Sequence, residues 1–241
     1  MPDGLLVLWD IDHTLVDTRG VGRELWAEAF DQVTGVTMRE QVRVDGLTEP
    51  VIFRETARMH ELPDSVELFA EFARALGAAH VRHAADLRER GCALPGVPSL
   101  LAAVARRGIR QTVVTGNVRE AAVIKLAAFG LDAYVDLDAA AFGEDAEERP
   151  ELVRIALKRA GVRPAQAVLL GDTPADVRGG VANGVRSIGV ATGRTGADQL
   201  REAGAAAVLG DLSDTEAALR VITCGAGRNP DVGGVSPPTS K

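Results

Sequence analysis

The chain has 241 residues, 46% hydrophobic, 25% charged and 4% aromatic, the make-up of a soluble globular protein whose core must come mainly from Leu, Val, Ile and Ala. A net charge of −7 and a pI near 5.2 exclude a nucleic-acid partner held on a broadly basic surface, though not a small anion in a locally positive pocket. No run approaches the ~20 apolar residues of a membrane span, and no signal-peptide pattern precedes the first strand run, so a cytoplasmic protein is expected.

In chain order, the first short apolar run is Leu5 to Trp9, ending on Asp10-Ile11-Asp12. From about 17 to 94 the pattern turns helical, with amphipathic stretches near 21–34, 49–60, 64–76 and 78–90 and no convincing strand. Pro95-Gly96-Val97-Pro98 then marks a return to alternation. Further strand runs are Gln111 to Thr115, ending on Gly116-Asn117; a weaker Ala133 to Leu137; Ala167 to Leu170, ending on Gly171-Asp172; Ser187 to Val190; and a short Ala206 to Leu209. Helices are predicted between them near 118–129, 151–161, 175–183, 197–204 and 213–222.

Apolar runs alternating with helical patterns indicate an α/β fold, a Rossmann-like parallel sheet with helices on both faces. The helical stretch 17–94 reads as a small all-helical cap inserted after the first strand, leaving 1–16 and 95–223 as the core domain. From Cys224 onward the Gly-, Pro-, Ser- and Asn-rich composition is that of a disordered tail. Cys92 and Cys224 are too isolated for a disulfide framework or a zinc site and read as free thiols.

Ligands of an open parallel sheet bind beyond the carboxyl ends of its strands, and the polar residues collect there. Asp10 and Asp12 follow the first strand, Thr115 and Asn117 the second, and Asp172 and Asp176 the fourth. Carboxylates gathered from such distant loops repel one another unless a hard cation lies among them, and an all-oxygen ligand set favours Mg²⁺.

The order and spacing of these segments resemble the haloacid dehalogenase-like hydrolase superfamily, specifically its phosphatases. Asp10-Ile11-Asp12-His13-Thr14-Leu15 is similar to that family's first motif, Thr115-Gly116-Asn117 to its second, Arg149-Pro150 to the cation of its third, and Gly171-Asp172-Thr173-Pro174-Ala175-Asp176 to its fourth. The resemblance implies that Asp10 attacks phosphorus and forms an aspartyl-phosphate, while Asp12 serves as acid and then base. It implies a metal held by Asp10, the Asp12 carbonyl, Asp172 and Asp176, and phosphate oxygens held by Thr115, Gly116 and Asn117. Arg149 stands where Lys is commoner; it is preferred to Lys125 and Lys158, which lie in helical patterns where a solvated face is expected. His13, where similar proteins often carry Gly, reads as a loop substitution, and His80/His83 lack partners for a zinc site.

Asp12 also bears on the reaction, because dehalogenases of this superfamily have no leaving oxygen to protonate and lack it. Residues 17–94 contain no Lys, which closes the imine route of phosphonate cleavage. The stretch Asp45-Gly46-Leu47-Thr48-Glu49 looks like the cap loop of phosphoglycolate phosphatase-like and β-phosphoglucomutase-like members; it is also a plausible helix start, with Thr48 as N-cap. Arg43 and Arg54 flank it as candidates for a second anionic group. The resulting expectation is a Mg²⁺-dependent phosphatase acting on a small phosphorylated metabolite, phosphoglycolate-like or a sugar phosphate. A β-phosphoglucomutase-type transfer or a non-catalytic binding protein are the alternatives, and the oligomeric state is left open.

Overall fold

The computed structural model describes residues 4–224; the tail expected from Cys224 onward lies, apart from Cys224 itself, outside them. The sheet is five-stranded, in the order β4-β1-β5-β6-β7, formed by β1 (Leu6–Trp9), β4 (Arg110–Val113), β5 (Ala167–Gly171), β6 (Arg186–Val190) and β7 (Ala207–Leu209). Every pairing is parallel. Alternation within β1 feeds two cores: Val7 and Trp9 pack with α5 (Val97–Arg106), α6 (Arg119–Ala128) and α10 (Thr215–Thr223), whereas Leu6 and Leu8 pack with α7 (Arg149–Ala160). Strand β1 is therefore apolar throughout because both of its faces are covered. On the outer strands, α8 (Pro174–Ala182) packs against β5 and β6, and α9 (Ala197–Glu202) against β6 and β7.

Between β1 and α5 the chain forms α1 (Val21–Thr34), α2 (Glu49–Met59), α3 (Val66–Arg82) and α4 (Ala84–Arg90). The few aromatics gather here, with ring centroids 4.8 Å apart for Trp26 and Phe72 and 4.7 Å for Phe53 and Phe72. Their cluster extends onto α6 through Val118, Ala121 and Ala128. The segment leaves and re-enters the core through an antiparallel two-residue ribbon, β2 (Val16–Asp17) and β3 (Cys92–Ala93).

Four details depart from the expected pattern. The run Ala133–Leu137 is not a strand: Asp132–Tyr134 is a short 3-10 turn, and the Asp136 carboxylate accepts from the backbone N–H of Asp138 and Ala139 at 3.1 and 3.2 Å. That side chain takes over donors a ladder would need. Strand residues Asp17, Cys92 and Ala93 occur within 17–94, where none was anticipated. Helix α5 falls where the sequence pattern places no helix, after the Pro95–Pro98 marker; Pro98 lies in its first turn, a position that Pro suits. Finally, the helix expected to end near 76 runs on to Arg82. Gly77 is needed there for close approach, since a Cβ at that position would lie 2.2 Å from the Glu120 carboxylate of α6.

Candidate active site

The carboxyl ends of β1, β4 and β5 meet beneath a cavity of about 620 Å³, walled on its other side by residues of α1–α3 and the loop before α2. Strand β1 lies between β4 and β5, so the segment that follows it opens into the crevice between connections running to either side. Asp10 is 6% exposed, and its N–H donates to the Leu170 carbonyl at 2.9 Å. His13 adopts φ 58°, a left-handed conformation that Gly accommodates without strain, and its carbonyl accepts from the Thr192 hydroxyl.

Asp172 and Asp176 are likewise buried. Asp176 closes a capping box with Thr173, accepting from its N–H at 3.1 Å and its hydroxyl at 2.6 Å. The Thr14 hydroxyl donates to Asp172 at 3.4 Å. Oxygens of Asp10, Asp172 and Asp176 lie within 4.8 Å of one another. Burial, then repulsion by Asp176, raises the Asp10 carboxyl well above its ordinary value against the pull of Arg149. Burial and the same neighbour push Asp172 up to about 7. A hard divalent cation fits this cluster: three oxygen donors converge, and their mutual repulsion is what such an ion relieves.

Arg149, from the first turn of α7, lies between the two carboxylate loops. Its guanidinium meets Asp10 at 3.4 Å and Asp176 at 3.3 Å, and donates to the Val114 carbonyl at 3.2 Å. The contact to Asp176 is an ion pair without hydrogen-bond geometry, because Arg149 Nε and Asp176 Oδ1 both lack a hydrogen-bond partner among the described residues. Lys158 is exposed on α7 and takes no part in the site.

Lys125 differs from the expectation of a solvated face. It lies on the buried side of α6 with Ala121, Ala122 and Leu126. Its ammonium donates to both Asp12 oxygens at 2.8 Å and to Asn117 Oδ1 at 2.6 Å. Asn117 Nδ2 donates to Asp12 Oδ2 and to Thr115 Oγ1, both at 2.7 Å. Burial alone would raise the Asp12 carboxyl, but the charge and hydrogen bonds of Lys125, together with Asn117, bring it below its ordinary value. The Asp12 side chain is 38% exposed and stands apart from the cluster of Asp10, Asp172 and Asp176. Its spacing from Ala121 and Ala122 on one helix face is the sequence signal that could have found Lys125.

The loop before α2 reaches the second motif. Glu49 N–H donates to the Gly116 carbonyl at 2.8 Å, and a Cβ on Gly116 would fall 2.3 Å from the Leu47 carbonyl oxygen, so only Gly fits. Thr48 occupies the N-cap position without a capping hydrogen bond; its hydroxyl instead donates to the Glu147 carbonyl at 2.9 Å. Arg43 lines the cavity but pairs with Asp45 at 2.6 Å. Arg54 is engaged with Glu147 at 2.6 Å. Glu49 closes the stretch expected as the cap loop and does line the cavity, where burial pushes its carboxyl up to about 7; His80 also lines it and was missed by sequence reasoning. Cys92 and Cys224 are free thiols, and no helix among the described residues is long and apolar enough to cross a membrane.

Residues 7–190 match the family model described as haloacid dehalogenase-like hydrolase. The chain is 34% identical over 227 residues to the plasmid phosphoglycolate phosphatase of Cupriavidus necator, covering 88% of this chain and 92% of that one. It is 32% identical over 193 residues to the protein CbbY of Cereibacter sphaeroides, covering 76% and 82%. Among solved structures, a hydrolase from Pseudomonas syringae superposes with TM-score 0.70 at 21% identity, covering 91% of this chain and 99% of that one. CbbY from Rhodobacter sphaeroides in complex with phosphate gives 0.67 at 21%, covering 87% and 95%. The two structural likenesses speak to the fold.

Proposed function

The chain belongs to the haloacid dehalogenase-like hydrolase family and is a phosphatase, and from that premise we propose that it hydrolyses a small phosphomonoester through an aspartyl-phosphate on Asp10. The observation that carries this reading is the placement of Asp10 beside Arg149, with its carboxylate within 4.8 Å of those of Asp172 and Asp176, at the floor of the cavity.

In the first half-reaction an Asp10 oxygen bonds to phosphorus as the bond to the leaving oxygen breaks, and Asp12 gives that oxygen its proton. In the second, Asp12 takes a proton from water, the hydroxide oxygen bonds to phosphorus, and phosphate leaves with Asp10 restored. The Lys125 contact suits the second half, because it holds Asp12 as a carboxylate ready to accept. The first half requires that the incoming substrate draw the carboxyl away from Lys125. Thr115, the Gly116 backbone and Asn117 hold phosphate oxygens, and Arg149 offsets the charge spread over the transferring group. We take the resident cation to be Mg²⁺, held by Asp10, Asp172, Asp176 and the Asp12 carbonyl; it supplies positive charge against the phosphoryl oxygens.

We further take residues 17–94 as a cap over the strand ends. Contacts of Glu49 with Gly116 and of Thr48 with Glu147 support this. The cavity volume suits a small phosphorylated metabolite, phosphoglycolate-like or a sugar phosphate, and the free thiols agree with a cytoplasmic setting. Purified protein with Mg²⁺ should release nitrophenol from p-nitrophenyl phosphate, stop on addition of EDTA, and lose the activity in Asp10→Asn. Turnover retained in that variant would remove Asp10 as nucleophile.

A further inference from the structure

Three cap helices each contribute one buried polar side chain to the cavity wall: Trp26 from α1, Glu49 from α2 and His80 from α3, which are 4%, 9% and 2% exposed. None of them has a part in the chemistry described above. The Trp26 indole N–H donates to Glu49 Oε2 at 2.7 Å, which fixes that carboxyl; among the described residues its other oxygen has no hydrogen-bond partner.

The tautomer of His80 follows from its surroundings. Its Nδ1 lies 2.9 Å from the Leu76 carbonyl, which can only accept, so Nδ1 carries the proton. Burial, aided by the Lys125 charge, lowers the ring to about 4, and near neutral pH Nε2 is a bare acceptor. That atom is buried and has no partner among the described residues, a condition that native interiors rarely leave unrelieved. Lys125 does not relieve it, because its three N–H groups are engaged with Asp12 and Asn117.

Among the cations around the cavity, Arg149 sits among the carboxylates, Arg43 and Arg194 face Asp45 at 2.6 and 3.8 Å, and the exposed Arg23 also lines it. The buried part of the wall offers the unpartnered His80 Nε2 and the second Glu49 oxygen, which suit a leaving group that carries hydroxyls. We propose that Trp26, Glu49 and His80 form the leaving-group subsite, and that it selects phosphomonoesters whose leaving group bears hydroxyls, with His80 Nε2 accepting from one of them. The inference rests on the phosphatase reading and narrows its substrate class to polyol or sugar phosphates.

The test compares kcat/KM of the Mg²⁺-loaded protein for glycerol 3-phosphate and propyl phosphate. Glycerol 3-phosphate should exceed propyl phosphate by roughly 5–10-fold, the worth of one or two neutral hydrogen bonds. His80→Leu should bring the glycerol-to-propyl ratio close to unity, while His80→Gln, which keeps an acceptor, should retain most of it. Equal wild-type rates for the two, or equal losses on both esters in His80→Leu, would overturn the subsite. If His80→Leu does not fold, the wild-type ratios and His80→Gln decide. Failure to turn over any of these esters or p-nitrophenyl phosphate would overturn the phosphatase reading along with the subsite, whereas turnover without discrimination overturns the subsite alone.

Discussion

Lys125 grips the Asp12 carboxylate by both oxygens at 2.8 Å, from a helix face that is otherwise apolar. The pair ties the second motif's helix to the first motif's loop, and Asn117 bridges it to Thr115.

If Lys125 acts through Asp12, Lys125→Met should lower kcat by roughly 10²-fold, the low end of what a general acid/base contributes. Asp12→Asn should lose at least as much. The double variant should be no worse than Asp12→Asn alone, since residues acting as a unit do not add. Steady-state kinetics on the three proteins checks this, and losses that multiply would show that Lys125 acts separately.

Arg149 is the buried counter-charge to Asp10 and Asp176. Arg149→Ala should abolish turnover and destabilise the protein by about 3–5 kcal/mol, the usual result of removing one partner from a buried ion pair. Denaturant titration measures the loss, and Mg²⁺ should recover part of it by neutralising the same carboxylates.

Asp172 is raised to about 7, and Asp10 is raised as well, by burial and by carboxylate neighbours. Folded values above unfolded ones mean a contribution to stability that is present at low pH and lost as pH rises through the folded value. The metal-free protein should therefore lose stability between about pH 5 and 8, in line with that shift. Mg²⁺ competes with protons for the same oxygens, so its stabilising effect should be small near pH 5.5 and full near pH 8. At a hundredfold excess over Kd it should reach about 2.7 kcal/mol. Melting curves with Mg²⁺ and with EDTA test both trends, and Asp172→Asn should blunt the metal effect.

Glu49 carries the same sign for a different reason, burial against Trp26 and the cavity wall, which places its carboxyl near 7. Glu49→Gln keeps an acceptor for Trp26 and removes the charge. It should leave stability unchanged near pH 4.5 and raise it by on the order of 2 kcal/mol at pH 8. Equal melting shifts at the two pH values would contradict the buried-carboxyl account.

The sheet and the floor of the site were readable from the chain because each acidic or hydroxyl residue there directly follows a short apolar run: Asp10 after Trp9, Thr115 after Val114, Asp172 after Gly171. Parallel-sheet geometry then gathers them without further information. The cavity wall was not readable in the same way. Glu49 was legible only as the end of the cap loop, His80 and Lys125 lie in ordinary helical patterns, and the packing of α1–α3 on α6 is what turns them toward one space. The close approach at Gly77 and the side-chain turn at Asp136 show the same limit, since both depend on partners remote from any local pattern.

Trapping the covalent intermediate tests the central claim most directly. Asp12→Asn should still transfer phosphate from p-nitrophenyl phosphate, whose leaving group needs little protonation, but should lack the base that hydrolyses the product. Mixed with this ester and Mg²⁺, it should release one equivalent of nitrophenol in a burst and gain one phosphate, located on Asp10 by peptide mass mapping and absent when Asp10 is also changed to Asn. Phosphate on any other residue, or steady release with no burst and no added mass, would contradict Asp10 as the nucleophile.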